Sequence, residues 1–280
     1  HPRIGIRVAD YKPIPFIGKY FSFKGEYEEG WLNDERFVDK THLHHKSFYV
    51  KLQPAPHFDV QVGLEHFVMW GGISSDPDIG QLPDNLSAYF QYVTGRSGDE
   101  QFLPGEQHNI AGNQYGTYQI LFNQKLKDAD ISLNISHPFD DLSGMNLRNW
   151  TDNIIGLYLK LKKQNQFITH FLYEITNTRH QGIDSLYRWS EKNQEWQRLE
   201  PDNYFNNYVY RSGVTYQKTA MGTPLFFPVM VKENMSAGFE SNRVLAHHMG
   251  VKGVFSESFN WKGMLTYIQH LGTWPTPYLS

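Results

Sequence analysis

Histidines cluster at His42, His44 and His45, and again at His247 and His248. Imidazoles in such groups bind metal when they converge and are held from behind by further hydrogen bonds. His42 and His44 would share one face of a strand. No His-x-x-x-His spacing and no acidic partner at a metal-site spacing accompanies them, so they read as polar lumen or loop histidines, and no metal or other cofactor is expected. Paired carboxylates would point to glycoside hydrolysis. Asp59 and Glu65 fall on one strand face, but six residues at the strand rise separate them by roughly 20 Å, beyond the roughly 5–9.5 Å those mechanisms use. Asp140 and Asp141 are adjacent, in a stretch that reads as a loop or one short helix. Trp70-Gly71-Gly72 lacks the Lys-Ser/Thr of a phosphate loop, and Ser143-Gly144 lacks the strand–turn–helix setting of a nucleophile elbow. The main reading is therefore not an enzyme, with a polysaccharide-active glycoside hydrolase kept as an alternative.

Carbohydrate binding needs flat aromatic faces for the apolar sides of sugar rings, and amides, acids or arginines for hydroxyls. The loop segments supply Trp150, Trp189, Trp196, Tyr204, Asn203, Asn206 and Asn207. Arg179, Arg188, Arg198 or Arg243 would add contacts to an acidic sugar polymer. The plainer reading of each tryptophan is an interfacial girdle or loop packing. Taken as a set, Trp150, Arg179, Arg188, Trp189, Trp196, Tyr204, Asn206 and Asn207 are the candidate sugar contacts.

The elements that must position these residues are strands. From Phe58 to Trp70 one set of alternate positions is Phe58, Val60, Val62, Leu64, His66, Val68 and Trp70. The other is Asp59, Gln61, Gly63, Glu65, Phe67 and Met69. Successive side chains of a strand point to opposite faces, so one face is almost wholly apolar. Residues 155–162 and 167–176 repeat the pattern around a short polar turn and predict a hairpin, with Lys160, Lys162, His170 and Glu174 on an inward face. Further strands are expected at Ile4–Tyr11, Phe16–Tyr27, Lys46–Gln53, Tyr115–Asn123, Asp130–His137, Tyr208–Gln217, Leu245–Ser256 and Trp261–His270. Long polar connections at Gly71–Asn85, Arg96–Asn113 and Thr178–Phe205 alternate with short turns, as in transmembrane barrels. About 11–13 strands are expected, with Asp59, Glu65, Lys160 and Glu174 forming a structural polar network in a lumen.

Composition agrees. Aromatics make up 15% of the 280 residues while mean hydropathy is −0.55, a pairing that suits a polar interior inside an aromatic outer band and equally an aromatic-rich β-sandwich or a sugar-binding domain. A net charge of −3 offers no basic stripe for nucleic acid. Without cysteine there is no disulfide or thiolate site. No run approaches the roughly 20 apolar residues of a membrane helix, so a bilayer span would have to be made of strands. The absence of an initiator Met at His1 and the stop after Pro277-Tyr278-Leu279-Ser280 are read as a mature or truncated product. No linker divides the chain, so one domain over 1–280 is expected.

Six stretches in order resemble the capsule assembly protein Wzi family, in its Bacteroidetes-type version. They are IGIRVADYKPI at 4–14, KYFSFKGEYEEGWL at 19–32, GLEHFVMWGG at 63–72, HPFDDLSG at 137–144, DNYFNNYVYRSGVTYQKTAMGTPLF at 202–226 and NRVLAHHMG at 242–250. The resemblance implies an outer-membrane antiparallel β-barrel, 18-stranded in the type member with a helical plug. It implies a lectin-like, cofactor-free protein that helps attach capsular polysaccharide to the cell surface. This chain is short for such a barrel and has no clear plug helices. The expectation is thus an all-β transmembrane barrel, or a fragment of an 18-stranded one, in the outer membrane. Its partners would be capsular polysaccharide and outer-membrane lipid, with a porin-like channel as the other alternative.

Overall fold

A computed structural model describes residues 1–163, 167–183, 187–190, 194–198, 201–256 and 258–278, with the side chains of Arg188 and Arg198 outside the described set. The chain is all-β in class. Ten strands form one sheet: β1 Arg3–Pro13, β2 Phe21–Leu32, β3 Thr41–Ala55, β4 Phe58–Trp70, β5 Asn113–Lys125, β6 Ala129–Asp140, β7 Asn153–Leu161, β8 His170–Asn177, β9 Val244–Ser256 and β10 Phe259–His270. Each pairs antiparallel with the next in sequence, so the sheet is a meander without a crossover. β1 and β10 are its edges, and among the described residues no ladder joins them.

The connections are unequal at the two ends. Residues 14–20, 56–57, 126–128, 162–169 and 257–258 link strands at one end. At the other end the links are 33–40, 71–112, 141–152 and 178–243. The long links carry the helices α1 Leu86–Thr94, α2 Pro104–His108 and α3 Asp141–Met145, together with several two-stranded ribbons, and they fold into a cap.

Register decides what each face presents. One row across the sheet runs Phe23, Val50, Val62, Ile120, Ile135, Ile155, Ile175, His247, Tyr267. A parallel row runs Leu52, Val60, Phe122, Leu133, Leu157, Tyr173, Met249, Leu265. Between those rows' positions, on the opposite face, lie Ser22, Lys51, Gln61, Leu121, Asn134, Gly156, Glu174, His248 and Thr266. The apolar face is uncovered along the sheet's middle: Val62 keeps 54% and Leu265 65% of its surface. Sandwich sheets bury such a face against a second sheet. Here no second sheet lies against it among the described residues.

At the cap end both faces are covered. On the polar face, Leu32, Leu43, Met69 and Tyr115 pack with Val209, Tyr210 and Val214 from the last long link. On the apolar face, Val68 and Trp70 pack with Ala88 and Tyr92 of α1 and with Phe102 and Ala111. Asn85 caps α1 by accepting from the Ala88 N–H at 3.0 Å, and Gly95 closes it in the left-handed region at φ 65°.

Several expectations are corrected. Tyr208–Gln217 is a turn segment in which only Thr215–Tyr216 pairs, with Thr219–Ala220. The Asn207 side-chain oxygen accepts from the Val209 and Tyr210 N–H groups at 2.9 and 3.1 Å, and Gly213 has φ 68°, so the backbone folds on itself. The strand expected from Phe16 begins at Phe21, because residues 14–20 turn and Phe16 itself has φ 68°. Of the two readings open for Asp140–Asp152, a loop or one short helix, the stretch takes the helix, α3, from Asp141. The link 71–112 holds α1 and α2, where the sequence showed only polar loops.

Candidate functional site

A cavity in the cap is built by three separate links. It has a volume of about 690 Å³ and is lined by Glu106 and His108 of α2, by 109–110 and Gly112, by Asp141 and Ser143 of α3, and by 201–203 and 206–208. The size falls in the range of small-ligand pockets, about 300–1,000 Å³. Pro104 opens α2 at a position where its missing N–H is no loss. The Gly112 N–H then donates to Glu106 Oε1 at 2.7 Å and folds the link back over the carboxyl. Asp141 sits at φ 58°, a left-handed conformation that aspartate tolerates better than most residues, and its Oδ2 accepts from Asn109 Nδ2 at 3.3 Å. The Ser143 hydroxyl donates to Asp202 Oδ1, and the Asp202 N–H donates to the Gln181 carbonyl at 3.0 Å.

Of the expected sugar contacts, two reach this cavity. Asn206 clamps the cap: its Oδ1 accepts from the Phe239 N–H at 2.7 Å and its Nδ2 donates to the Phe239 carbonyl at 2.8 Å. Asn207 shapes the turn already described. Tyr204 is not a loop contact. It is 3% exposed, packed with Phe226 and Phe239, and its hydroxyl bonds Asp152 Oδ2 at 2.8 Å and Asn149. Trp150 is exposed on the link 141–152, away from the cavity lining. Trp189 and Trp196 face each other across the ribbon of Tyr187–Ser190 and Glu195–Arg198, edge to face at 5.8 Å. Arg179 Nε donates to Asn177 Oδ1 at 2.7 Å. Arg243 lies 3.9 Å over the Trp274 ring. Arg188 falls outside the described side chains.

The expected lumen network is two local groups and two separate residues. Asp59 Oδ1 accepts from Gln61 at 2.9 Å and Asn123 at 3.0 Å. Glu65 meets His45 Nε2 at 2.8 Å and accepts from the Tyr49 hydroxyl. Lys160 and Glu174 share that polar face on β7 and β8, and among the described residues no hydrogen bond ties them to Asp59 or Glu65. The histidines do not converge. His42 stacks on Trp70 at 4.4 Å, and His44 Nδ1 lies 2.6 Å from Glu29. His247 and His248 occupy opposite faces, bonded to Tyr173 and Thr266. Glu26, Glu28 and His45 bring ligand atoms within 4.8 Å of one another, and Arg3 at 2.8 Å already supplies the counter-charge to Glu28.

What sequence reading missed is the acid set of the cavity: Glu106, Asp141 and Asp202, with Tyr208 at its edge. Burial pushes the Asp202 carboxyl up to about 7, helped by the charges of Asp141 and Asp152 and opposed by the Ser143 bond and Arg148. Burial likewise pushes Asp141 up to about 7, with Glu106 adding to it and the Asn109 bond opposing it. Glu106 is raised by burial, against the Gly112 N–H. Partial burial and the charges of Glu106 and Asp141 push the Tyr208 hydroxyl up to about 12.

These shifts set a pH dependence. A carboxyl raised in the folded state holds its proton where the unfolded chain has lost it, so stability falls as pH climbs from the ordinary value of 3.8 to about 7 and is level above. The cap should therefore melt at a higher temperature at pH 5 than at pH 8. In an Asp141→Asn/Asp202→Asn double variant, the difference should shrink. Fluorescence melting of both forms in detergent checks this, and an unchanged pH difference in the double variant would count against it.

Compared with family models, with curated proteins and with solved structures, the chain matches none.

Proposed function

We propose that this chain is an outer-membrane β-barrel, or a large part of one, that holds capsular or other exported polysaccharide at the cell surface without cleaving it. The single observation that carries the membrane half is the apolar face, continuous across ten strands and left open along its middle. A polar opposite face suits a water-filled or plugged lumen. Aromatic groups flank the band. Tyr27, Trp31 and Tyr89 lie at the cap end, where Tyr89 and Trp70 both donate to Glu29. Phe167, Trp261, Phe255 and Phe259 cluster at the short-turn end, with Phe167 and Trp261 centred 5.0 Å apart. Such girdles mark the two membrane–water boundaries.

Lipid offers no partner to a free strand edge, so β1 and β10 must be closed. In a ten-strand meander they run antiparallel to each other, and either direct pairing or an even number of further strands satisfies both. By the habit of such barrels the short turns face the periplasm and the cap faces outward. The glycan half of the proposal rests on the cap's polar cavity, its exposed tryptophans and the resemblance to capsule assembly proteins of the Wzi family. Repeated sugar units, each weakly held, raise the avidity for a polymer.

The test is twofold. The chain targeted to a bacterial outer membrane should need detergent for extraction and should shift in gel mobility on boiling, and cells displaying it should retain labelled capsule that bare cells lose. Purification without detergent would overturn the membrane assignment. A second reading, a glycoside-active enzyme, is favoured by one observation: Asp141 and Asp202 line a single cavity, and burial pushes both carboxyls up to about 7, the range of acid–base catalysis. Release of reducing ends from capsule would favour it over passive capture.

A further inference from the structure

Resting on the surface-glycan reading above, we propose that the cap cavity recognises an amino sugar bearing a free ammonium group and discriminates against uronic acids. Three observations carry this. The first is charge. The described lining residues include Glu106, Asp141 and Asp202 and no lysine or arginine. Among the described lining residues an anionic sugar would meet three carboxyls, no lysine or arginine, and the single imidazole of His108. Of the arginines offered to an acidic polymer, Arg179 and Arg243 lie outside that lining.

The second is a surplus of acceptors. Glu106 is 3% exposed, and while its Oε1 takes the Gly112 N–H, its Oε2 has no partner among the described residues. Asp202 Oδ2 is likewise buried and without a partner among them, although Oδ1 takes the Ser143 hydroxyl. Buried acceptors without donors are costly. They call for a ligand rich in N–H and O–H groups, and an ammonium offers three donors together with a positive charge that favours the ionised form of carboxyls which burial alone keeps protonated. The amides around them are largely occupied. Asn203 Oδ1 accepts from Asn206 at 3.0 Å and from Asn242 at 2.5 Å, and Asn206 is taken up by Phe239.

The third is a platform. The Tyr208 ring, 58% exposed, borders the cavity, with its hydroxyl against the backbone of Gly105. An aromatic face beside acids seats the apolar side of a pyranose ring and favours a cation close to it. The aromatic platform separates a sugar from a simple polyamine, which has no ring face to stack.

The experiment uses the full chain in detergent and calorimetric titration with three probes: a β-1,4-linked glucosamine tetramer, its N-acetylated counterpart and a galacturonate tetramer. The glucosamine tetramer should bind at least tenfold tighter than the N-acetylated one, and the galacturonate should give no heat. Asp202→Asn, Glu106→Gln and Tyr208→Ala should each weaken glucosamine binding about tenfold. Glu106→Gln keeps an oxygen for Gly112, and Tyr208→Ala alters an exposed side chain, so these two keep the test open should Asp202→Asn fail to fold. Galacturonate binding as tight as glucosamine, or glucosamine binding untouched in Glu106→Gln and Tyr208→Ala, would overturn the inference. Spermidine binding equal to the sugar and indifferent to Tyr208→Ala would overturn the sugar assignment. Cells that carry Glu106→Gln and still retain capsule fully would overturn the cavity's role as the glycan seat while leaving the outer-membrane reading intact. Loss of detergent dependence would instead remove that reading.

Discussion

Ile120→Arg should cost about 2–4 kcal/mol of folding free energy in lipid, the figure for a cation placed at mid-membrane on the lipid face of a barrel. Gln119→Arg, one residue away on the same strand, should change stability little. Ile120 stands mid-strand in β5, between Val62 and Ile135 on the apolar face. Gln119 stands between Gly63 and Ser136 on the polar face, donating to Thr117 at 3.1 Å. In water the order of the two effects would differ, because an exposed arginine costs little on any solvated sheet face. Urea unfolding of both variants from lipid vesicles measures the contrast. Equal costs at the two positions would argue against lipid on the Ile120 face.

Tyr204→Ala should be the most damaging single change in the cap, at about 3–5 kcal/mol of its local stability, in the range of large aromatic truncations. The ring fills the space beside Phe226, Phe239 and Val244. Its hydroxyl also joins Asp152 to Asn149, and Asp152 in turn accepts from the His180 and Gln181 N–H groups at 2.9 and 2.8 Å. The alanine variant therefore opens a void and removes a donor from a buried acid. Tyr204→Phe keeps the packing and loses only the hydroxyl, so it should cost about 1–3 kcal/mol. Hydrogen exchange over 201–214 and 236–244 separates the two variants. Equal protection in Tyr204→Ala and the unaltered protein would show that this ring does not hold the cap.

Strands were legible where one rule acts alone. β4 spans Phe58–Trp70, the bounds its alternation predicts, because period-two patterning records directly which face each residue occupies. The same holds for the shared face of Lys160, His170 and Glu174. Legibility failed where long-range contacts override local pattern. Tyr208–Gln217 is rich in tyrosine and valine, as strands are, yet Val209, Tyr210 and Val214 are all buried because the segment packs into the cap rather than alternating across a sheet. α1 hid for the opposite reason. Its Leu86-Ser-Ala-Tyr-Phe-Gln-Tyr-Val run has the aromatic content of a strand, and its real signals were Asn85 before it, Gly95 after it and the Ala88–Tyr92 spacing of four.

The cavity was illegible in principle. Glu106, Asp141 and Asp202 come from three links and meet only after the sheet has brought those links to one end. No spacing rule connects them. The tryptophans drew the sequence reading because they are conspicuous, and Tyr204 because it is aromatic in a loop. The structure buries Tyr204 and pairs Trp189 with Trp196. A short motif, Asp140-Asp141, did touch the site, though the adjacent carboxyls divide between strand and helix.

The chain has no cysteine, so single thiols can be placed at will and labelled with nitroxide spin probes. Reconstituted in bilayers, labels at 60, 62, 64, 118, 120 and 122 should be relaxed mainly by oxygen, which concentrates in lipid. Labels at 59, 61, 63, 117, 119 and 121 should be relaxed mainly by a water-soluble nickel chelate. A lipid-facing belt predicts that alternation at every second residue on both strands. Nickel accessibility equal at odd and even positions would contradict it.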